Sequence, residues 1–267
     1  MNVAALLTCH NRKRSTEQCL TRLFAQRLPR NVRLRAYVTD DGSTDGTFEL
    51  LQSLAPRVVV IRGTGQLYWC GGMRRAWRAA ARDDPDHYLL LNDDTLLEPD
   101  GVEVLLETAQ APDARRIAVG AIRDPDTGRL TYGGVRSASG NFEPRGEIEP
   151  CDTFNANAVL ITRAVYCEIG MFHDAYTHAM GDYDYGYQAR RRGIATVQTP
   201  RYVGSCRRNP LAGSWRDRTL TRAERLRILR SPKGLPFREW ALYNRRNAGW
   251  RWPLRSVSPY VRVLLGL

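Results

Sequence analysis

The chain has no apolar run of the ~20 residues needed to cross a bilayer, no Cys-x-x-Cys pair and no Gly-x-Gly-x-x-Gly turn. These absences argue against a membrane-spanning segment, a structural zinc site and a dinucleotide-binding dehydrogenase, respectively. The six cysteines are irregularly spaced, which also argues against a secreted disulfide framework. Residues 1–8 lack the basic segment and cleavage site of a signal peptide. We therefore expect them to form a strand, and we expect a cytoplasmic protein.

Acidic side chains are scarce in the last quarter of the chain. Residues 201–267 contain 16 basic and 3 acidic side chains, whereas residues 1–200 contain 24 basic and 25 acidic ones. The net charge of +12 therefore belongs entirely to the last quarter. A neutral body with a basic tail indicates docking on an anionic partner, such as the inner leaflet of a membrane. The alternative is a helical extension that packs its Leu and Trp side chains on the rest of the protein.

Apolar runs alternate with helical periodicities in the first part of the chain. The pattern predicts strands at 3–8, 34–39, 58–61 and 88–91, and helices at 16–28, 48–54 and 73–82. A capping box of Ser15 and Gln18 is expected to start the first helix. Strands and helices that alternate at such short spacing predict a parallel sheet covered on both faces.

The pattern is looser after residue 95. It predicts helices at 99–110, 163–169 and 185–192, strands at 117–122, 156–162 and 194–198, and a hairpin near 129–135. After Pro200 the strands are expected to stop. Helices are predicted at 221–229, with a capping box of Thr221 and Glu224, and at 236–250, followed by a short apolar end at 259–265. We therefore divide the chain into an α/β domain at 1–200, with halves at 1–95 and 96–200, and a basic helical extension at 201–267.

Adjacent carboxylates follow two of the predicted strands. Asp40 and Asp41 follow the second strand, and Asp93 and Asp94 follow the apolar run that ends at Leu91. Ligands of open α/β folds bind at the carboxyl ends of the strands. Two like charges side by side need a positive partner, and a divalent metal that carries a diphosphate would supply one. A solvated turn is the alternative for either pair.

Five segments together resemble the glycosyltransferases of family two. They are Leu7-Thr8-Cys9-His10-Asn11-Arg12, the run from Asp40 to Thr47, the glycines Gly71 and Gly72, and the acid motifs Asn92-Asp93-Asp94 and Gly181-Asp182-Tyr183-Asp184. Their order along residues 3–200 matches the family pattern. The resemblance implies the GT-A fold, a Rossmann-like, mostly parallel sheet with helices on both faces, followed here by a helical extension.

The resemblance also implies roles for individual residues. Asp182 falls on the catalytic base and Asp184 on its companion, although both could simply cap the helix that follows. Asp94 falls on the ligand of a Mg²⁺ or Mn²⁺ ion. The remaining matches are to nucleotide-sugar-binding positions: Thr8, Arg12, Asp40, Asp41, Gly71, Gly72, Arg74 and Asp93.

The sequence departs from the family pattern near the expected metal. Asn92 stands where an acid is common, and Cys206 lies where many relatives have a metal-binding histidine. A thiol is a poor ligand for these metals, because they prefer oxygen. Arg207 or Arg208 could instead neutralise the leaving diphosphate. Trp69 could shape the sugar pocket, and His178 could line the acceptor side.

The resulting hypothesis is an inverting, metal-dependent transfer of a sugar from a UDP- or dTDP-sugar. The acceptor would be a hydroxyl group of a glycan or a lipid-linked molecule in cell-surface polysaccharide assembly. Segments 67–69 and 231–236 resemble bacterial enzymes of that process, some of them rhamnosyltransferases. A sugar-nucleotide nucleotidyltransferase is less favoured, because residues 8–12 contain no glycine. A nucleic-acid-binding protein is the remaining alternative, but no recognised binding motif accompanies the basic tail.

Overall fold

The computed structural model describes residues 1–267. The strands are β1 (Asn2–Cys9), β2 (Arg33–Asp40), β3 (Val58–Arg62), β4 (His87–Leu91), β5 (Leu96–Leu97), β6 (Arg116–Arg123), β7 (Leu130–Tyr132), β8 (Gly134–Arg136), β9 (Gly140–Asn141), β10 (Glu149–Pro150), β11 (Thr153–Phe154), β12 (Ala158–Thr162) and β13 (Ala195–Ser205). The helices are α1 (Lys13–Phe24), α2 (Thr47–Ser53), α3 (Tyr68–Ala80), α4 (Gly101–Thr108), α5 (Arg163–Ile169), α6 (Gly181–Arg191), α7 (Arg222–Arg230), α8 (Phe237–Asn247) and α9 (Trp252–Leu264), with 3₁₀ turns at Ala81–Asp83 and Gly249–Arg251.

The central sheet has the strand order β10-β13-β6-β12-β4-β1-β2-β3. Strands β4, β1, β2 and β3 run parallel to one another, and β6 runs parallel to β13, whereas β12 is antiparallel to both β4 and β6 and β10 is antiparallel to β13. The short strand β5 pairs with β13, and the short strand β7 pairs with β6. Strands β11, β8 and β9 form a separate small sheet. The predicted mostly parallel α/β sheet is therefore confirmed.

Each face of the sheet has its own hydrophobic core. Side chains of β1 alternate between the two faces, and Leu7 packs with Leu23 of α1 on one face. Leu6 packs with Trp77 of α3 and Tyr185 of α6 on the other. This alternation follows from the two-residue repeat of a strand, and burial on both faces explains why the strands are almost wholly apolar.

The prediction for the start of the first helix was wrong. Helix α1 begins at Lys13, and no side chain of the helix caps it. The Lys13 N–H donates instead to the Asp45 carboxylate at 3.0 Å, from the loop that follows β2. A cap from a distant loop replaces the local capping box and cannot be read from neighbouring residues.

Helix α3 begins five residues earlier than predicted, at Tyr68, so Gly71 and Gly72 lie inside it. The Asp41 carboxylate accepts hydrogen bonds from the backbone N–H groups of Leu67 and Tyr68, at 2.9 and 3.0 Å. These are unpaired donors at a helix start, where a negative charge is also favoured by the helix dipole. The remote carboxylate therefore sets where this helix begins.

Several other boundaries differ from the prediction. Helix α6 begins at Gly181, which places the acid motif within its first turn. Strand β13 continues through Pro200 to Ser205, and its irregular pairing with β6 accommodates the proline. The hairpin predicted near 129–135 is absent, because β7 pairs with β6 whereas β8 pairs with β9 and β11. Helix α4 begins at Gly101, two residues after the predicted start at Pro99, and Asp100 is its N-cap residue.

The chain is helical from Thr221 onward, as predicted. The capping box of Thr221 and Glu224 at the start of α7 is confirmed. Helix α9 spans Trp252–Leu264, where the sequence predicted only a short apolar end from Pro259, and Pro259 lies within the helix. No helix of the protein combines the length and apolar character needed to cross a membrane.

The close packing of α3 on β1 gives a test of the fold. A Cβ atom on Gly72 would lie 2.0 Å from Thr8 Oγ1 and 2.7 Å from Thr8 Cβ, whereas one on Gly71 would lie 3.3 Å from the Leu67 Cβ. We expect Gly72→Ala to lower the free energy of unfolding by about 1–3 kcal/mol, because overpacking forces α3 from the sheet. Chemical denaturation would measure this loss. Gly71→Ala is the matched control and should be neutral or stabilising, since alanine favours a helix by about 1 kcal/mol over glycine. Equal losses in both variants would contradict this account.

Candidate active site

The principal cavity of the protein has a volume of about 800 Å³. It lies where Arg12 follows β1 and Asp93 and Asp94 follow β4. Residues 178–183, at the start of α6, form a second wall. The C-terminal extension forms the third. The carboxyl ends of parallel strands thus open into the cavity, as expected for an α/β fold.

Arg12 joins the two acids at the end of β4. Its guanidinium lies 3.2 Å from Asp93 Oδ1 and 2.8 Å from Asp94 Oδ2. Asp93 is only 5% exposed. Burial raises the pKa of Asp93, Arg12 lowers it and Asp94 raises it, and the net value is about 7. Arg12 thus offsets part of the cost of placing two carboxyl groups side by side.

The predicted neighbours of this acid pair do lie beside it. The Cys206 thiol is 3.5 Å from Asp94 Oδ1, and burial raises its pKa to about 12, so the thiol stays protonated. Trp69 lines the cavity, and its Nε1–H donates to Asn92 Oδ1 at 2.8 Å. Cys206 is thus a neutral hydrogen-bond donor to Asp94, and Asn92 orients the Trp69 ring.

The donor set at this corner suits a hard divalent cation with few protein ligands. Asp93 Oδ2 is buried without a hydrogen-bond partner, and Asp94 faces the cavity. No cluster of three or more His, Cys, Asp or Glu side chains is arranged to hold a metal. Mg²⁺ commonly binds through one or two carboxylates, with substrate phosphates completing its shell. The two carboxylates fit that kind of site.

Asp182 faces the same cavity without a cationic partner. Its carboxylate accepts only backbone hydrogen bonds, from Ala156 N–H at 3.2 Å and Tyr183 N–H at 2.9 Å. Burial raises the pKa of Asp182 to about 6, and these hydrogen bonds limit the rise. A carboxylate of this kind is poised to take a proton near neutral pH.

Asp184, two residues on, is in a different environment. Its side chain is 1% exposed and accepts from Arg246 Nε and Asn247 Nδ2, both at 2.9 Å, and from Gln188 Nε2 at 3.0 Å. It does not line the cavity. The acid motif therefore contains one carboxylate directed at the cavity and one that fastens α6 to α8.

The predicted nucleotide-binding acids after β2 lie outside the cavity lining. Asp41 accepts three backbone hydrogen bonds from Gly65, Leu67 and Tyr68, and so organises the loop before α3. Asp40 is fully buried; its Oδ1 accepts from the Ser43 N–H at 3.1 Å, and its Oδ2 has no partner. Thr8 and Gly72 pack against each other nearby, as described above.

Several predicted side chains are engaged elsewhere. Arg74 donates to the carbonyl oxygens of His173 and Tyr176 and thereby holds the loop before α6. Arg207 pairs with Asp126 at 2.8 Å, and Arg208 donates to the Thr131 carbonyl oxygen at 2.8 Å. Neither Arg207 nor Arg208 lines the cavity.

His178 does line the cavity. Its Nδ1 accepts from the Trp69 N–H at 3.5 Å, and burial lowers the pKa of the ring to about 4. The imidazole is therefore neutral at physiological pH and offers no charge to a substrate.

The C-terminal extension supplies cavity residues that sequence reasoning missed. They come from the segment before α7 and from α8 and α9: Arg216, Trp240, Tyr243, Arg255 and Arg262. Trp240 and Tyr243 stack with an interplanar angle of 12°. Nothing in the local sequence separates these arginines from the many others in the extension, and only the spacing of Trp240 and Tyr243 along one helix face could have indicated them.

Comparisons with known proteins identify the family of this chain. Residues 5–171 match the sequence profile of glycosyl transferase family 2. The chain belongs to this family. No curated protein matches it.

Solved structures of similar fold have low sequence identity. A mannosyltransferase of Pyrobaculum calidifontis, PcManGT, in complex with GDP-Man and Mn²⁺, superposes with a TM-score of 0.62 at 16% identity, over 99% of this chain and 73% of that one. TarS 1–349 of S. aureus with UDP-GlcNAc gives a TM-score of 0.61 at 12% identity, over 100% of this chain and 81% of that one. The predicted family and GT-A fold are thus confirmed.

The pairing of α6 with α8 can be tested by removing its cation. Arg246→Met should lower the free energy of unfolding by about 3 kcal/mol, because the Asp184 carboxylate would be left buried and unpaired. Thermal and urea denaturation would measure this. Arg245→Met, an exposed change on the same helix, is the control. The double variant Asp184→Asn/Arg246→Met should be more stable than Arg246→Met alone, and an additive loss would contradict a buried ion pair.

Proposed function

We propose that this family-two protein is an inverting, metal-assisted glycosyltransferase. It would move a sugar from a UDP- or dTDP-sugar to a hydroxyl group of a glycan or lipid-linked acceptor in cell-surface polysaccharide assembly. One observation carries the proposal: Asp182, with no cationic partner, faces the same cavity as the Arg12–Asp93–Asp94 cluster. Family membership favours glycosyl transfer over nucleotidyl transfer and over nucleic-acid binding.

Asp182 would act as the catalytic base. Its carboxylate takes the proton of the acceptor hydroxyl as the oxygen attacks the anomeric carbon from the face opposite the diphosphate. The bond between that carbon and the diphosphate oxygen breaks, and the diphosphate leaves with the bonding electrons. Inversion follows from attack on the opposite face. Asp184 would not touch the substrate; it would position α6, and with it Asp182.

Asp94, together with Asp93, would hold Mg²⁺ or Mn²⁺. When bound, the metal supplies a Lewis acid that neutralises charge on the leaving diphosphate. Arg12 contacts both carboxylates and keeps their charge balanced. PcManGT is a relative in fold with Mn²⁺ and GDP-Man, which supports a metal and a nucleotide-sugar donor without identifying the nucleotide.

The residues after β1 and β2 would receive the nucleotide. Asp40 retains a buried oxygen without a partner, which suits a carboxylate that accepts from a nucleobase or ribose. Asp41 and Arg74 would shape this site indirectly, through the loops that they hold. Thr8, Gly71 and Gly72 would set its floor, where α3 meets β1.

The pH dependence of turnover tests the base. Only the deprotonated Asp182 can accept a proton, so kcat/KM should fall about tenfold per pH unit below the pKa of about 6 and level off above it. Asp182→Asn should lose roughly 10²–10⁴-fold in kcat while still binding nucleotide. Glu147→Gln, an exposed acid remote from the cavity, is the control and should behave like wild type. Normal turnover by Asp182→Asn would refute the assignment.

Metal-linked donor binding tests Asp94. In calorimetric titrations with UDP, dTDP and GDP, one nucleotide should bind more tightly in the presence of Mn²⁺ than in its absence. Asp94→Ala should weaken the metal-dependent binding about tenfold or more, because a charged oxygen ligand is lost. The free Mn²⁺ signal in electron paramagnetic resonance gives a readout that is independent of activity. Glu147→Ala is the charge-matched control, and a single-stranded oligonucleotide that binds as well as the nucleotides would favour the nucleic-acid alternative instead.

A further inference from the structure

Helix α9 has an exposed apolar face. Leu254, Val257, Val261 and Leu264 follow each other at three- and four-residue spacing, so they lie on one side of the helix. Each is between 43% and 68% exposed, and Trp250, one turn before Leu254, is 78% exposed. A contiguous apolar face on an otherwise polar surface marks an interaction site.

A second face of α9 lines the active-site cavity. Arg255 and Arg262 are seven residues apart, close to two helical turns, and therefore point the same way. Neither guanidinium makes an ion pair or a hydrogen bond within the protein. Arg216, also on the cavity wall, has its guanidinium carbon 4.9 Å from the centroid of the Trp215 ring and makes no ion pair. Three unpaired cations thus face a cavity whose Asp93 and Asp94 are already paired with Arg12.

The charge of this region favours an anionic lipid surface over a second copy of the chain. No acidic residue follows Glu239, whereas five arginines do: Arg245, Arg246, Arg251, Arg255 and Arg262. Only Arg246 has an acidic partner. Two copies packed through the apolar face would bring the remaining arginines together, at an electrostatic cost. An anionic leaflet would meet both the apolar face and the arginines beside it.

We propose that the acceptor is a lipid with a phosphate or diphosphate headgroup, and that α9 delivers it from an anionic bilayer. The headgroup lies in the cavity against Arg255, Arg262 and Arg216. The lipid chain leaves across the adjacent apolar face of α9, which rests in the leaflet with Trp250 at its edge. This inference rests on the proposed glycosyl transfer and selects the lipid-linked class of acceptor.

Vesicle sedimentation tests the apolar face in the full-length protein. Wild type should bind vesicles of phosphatidylcholine with phosphatidylglycerol at low salt, and bind pure phosphatidylcholine weakly. Leu254→Ser/Val261→Ser should reduce binding at least about tenfold, because apolar area no longer enters the leaflet. Ile148→Ser, an exposed apolar change in another part of the protein, should have no effect. Equal binding of wild type and the double variant, or a wild-type dimer that the double variant abolishes in light scattering, would overturn the proposal.

Farnesyl diphosphate, a soluble lipid diphosphate, probes the headgroup site. Arg255→Gln/Arg262→Gln should weaken its binding about 25-fold, at about fivefold for each arginine. Binding of UDP should not change. Arg145→Gln, an exposed arginine without a partner, is the control.

The outcomes separate the two proposals. If the arginine variant loses UDP rather than farnesyl diphosphate, these arginines serve the donor and the lipid proposal fails alone. The lipid proposal also fails if wild type binds inorganic diphosphate as tightly as farnesyl diphosphate, since the farnesyl group then contributes nothing to binding. If wild type binds no nucleoside diphosphate at all, the proposed transfer itself fails.

Discussion

The contact of one guanidinium with two adjacent carboxylates is the constraint on which this site depends. Asp93 and Asp94 follow a buried strand and cannot both stay charged there without a cation. Arg12 reaches them from the end of the neighbouring parallel strand, which lies beside β4 in the sheet. Strand order therefore decides which loop can neutralise the acids. The remaining features, the Cys206 thiol and the Trp69 ring, are arranged around this pair.

Much of this architecture could be predicted because it rests on local patterns. Apolar runs identified the main strands, and acids at their ends identified the sheet edge that carries the cavity. Asp182 and Cys206 could be placed through a resemblance in order and spacing. What could not be predicted depends on contacts between distant segments. Asp41 starts α3 and Asp45 starts α1 from loops elsewhere in the chain, so neither start leaves a local signal.

The C-terminal extension is a second case in which contacts between distant segments could not be predicted from the sequence. Its basic charge was evident, but the sequence left open whether it packs on the protein or faces a membrane. In the structure, part of the extension packs on the rest of the protein and part of it is exposed. Trp240 packs against residues around Tyr176 and Met180, and Glu239 accepts hydrogen bonds from Thr177 at 2.9 and 2.7 Å, whereas Trp250 is exposed. The spacing of apolar residues along a helix cannot reveal which face of the helix has a neighbour in the folded protein.

The position of α8 has a consequence for the chemistry of the cavity. Tyr243 of α8 lines the same cavity as Asp182; burial raises the pKa of that tyrosine, and the charge of Asp182 adds to the rise. The extension thus replaces bulk water with a medium of low dielectric constant around the carboxylate. The proton affinity of Asp182 is in this sense a property of two segments that lie far apart in the chain. Any movement of α8 away from α6 would admit solvent and lower the pKa of Asp182 towards its value in water.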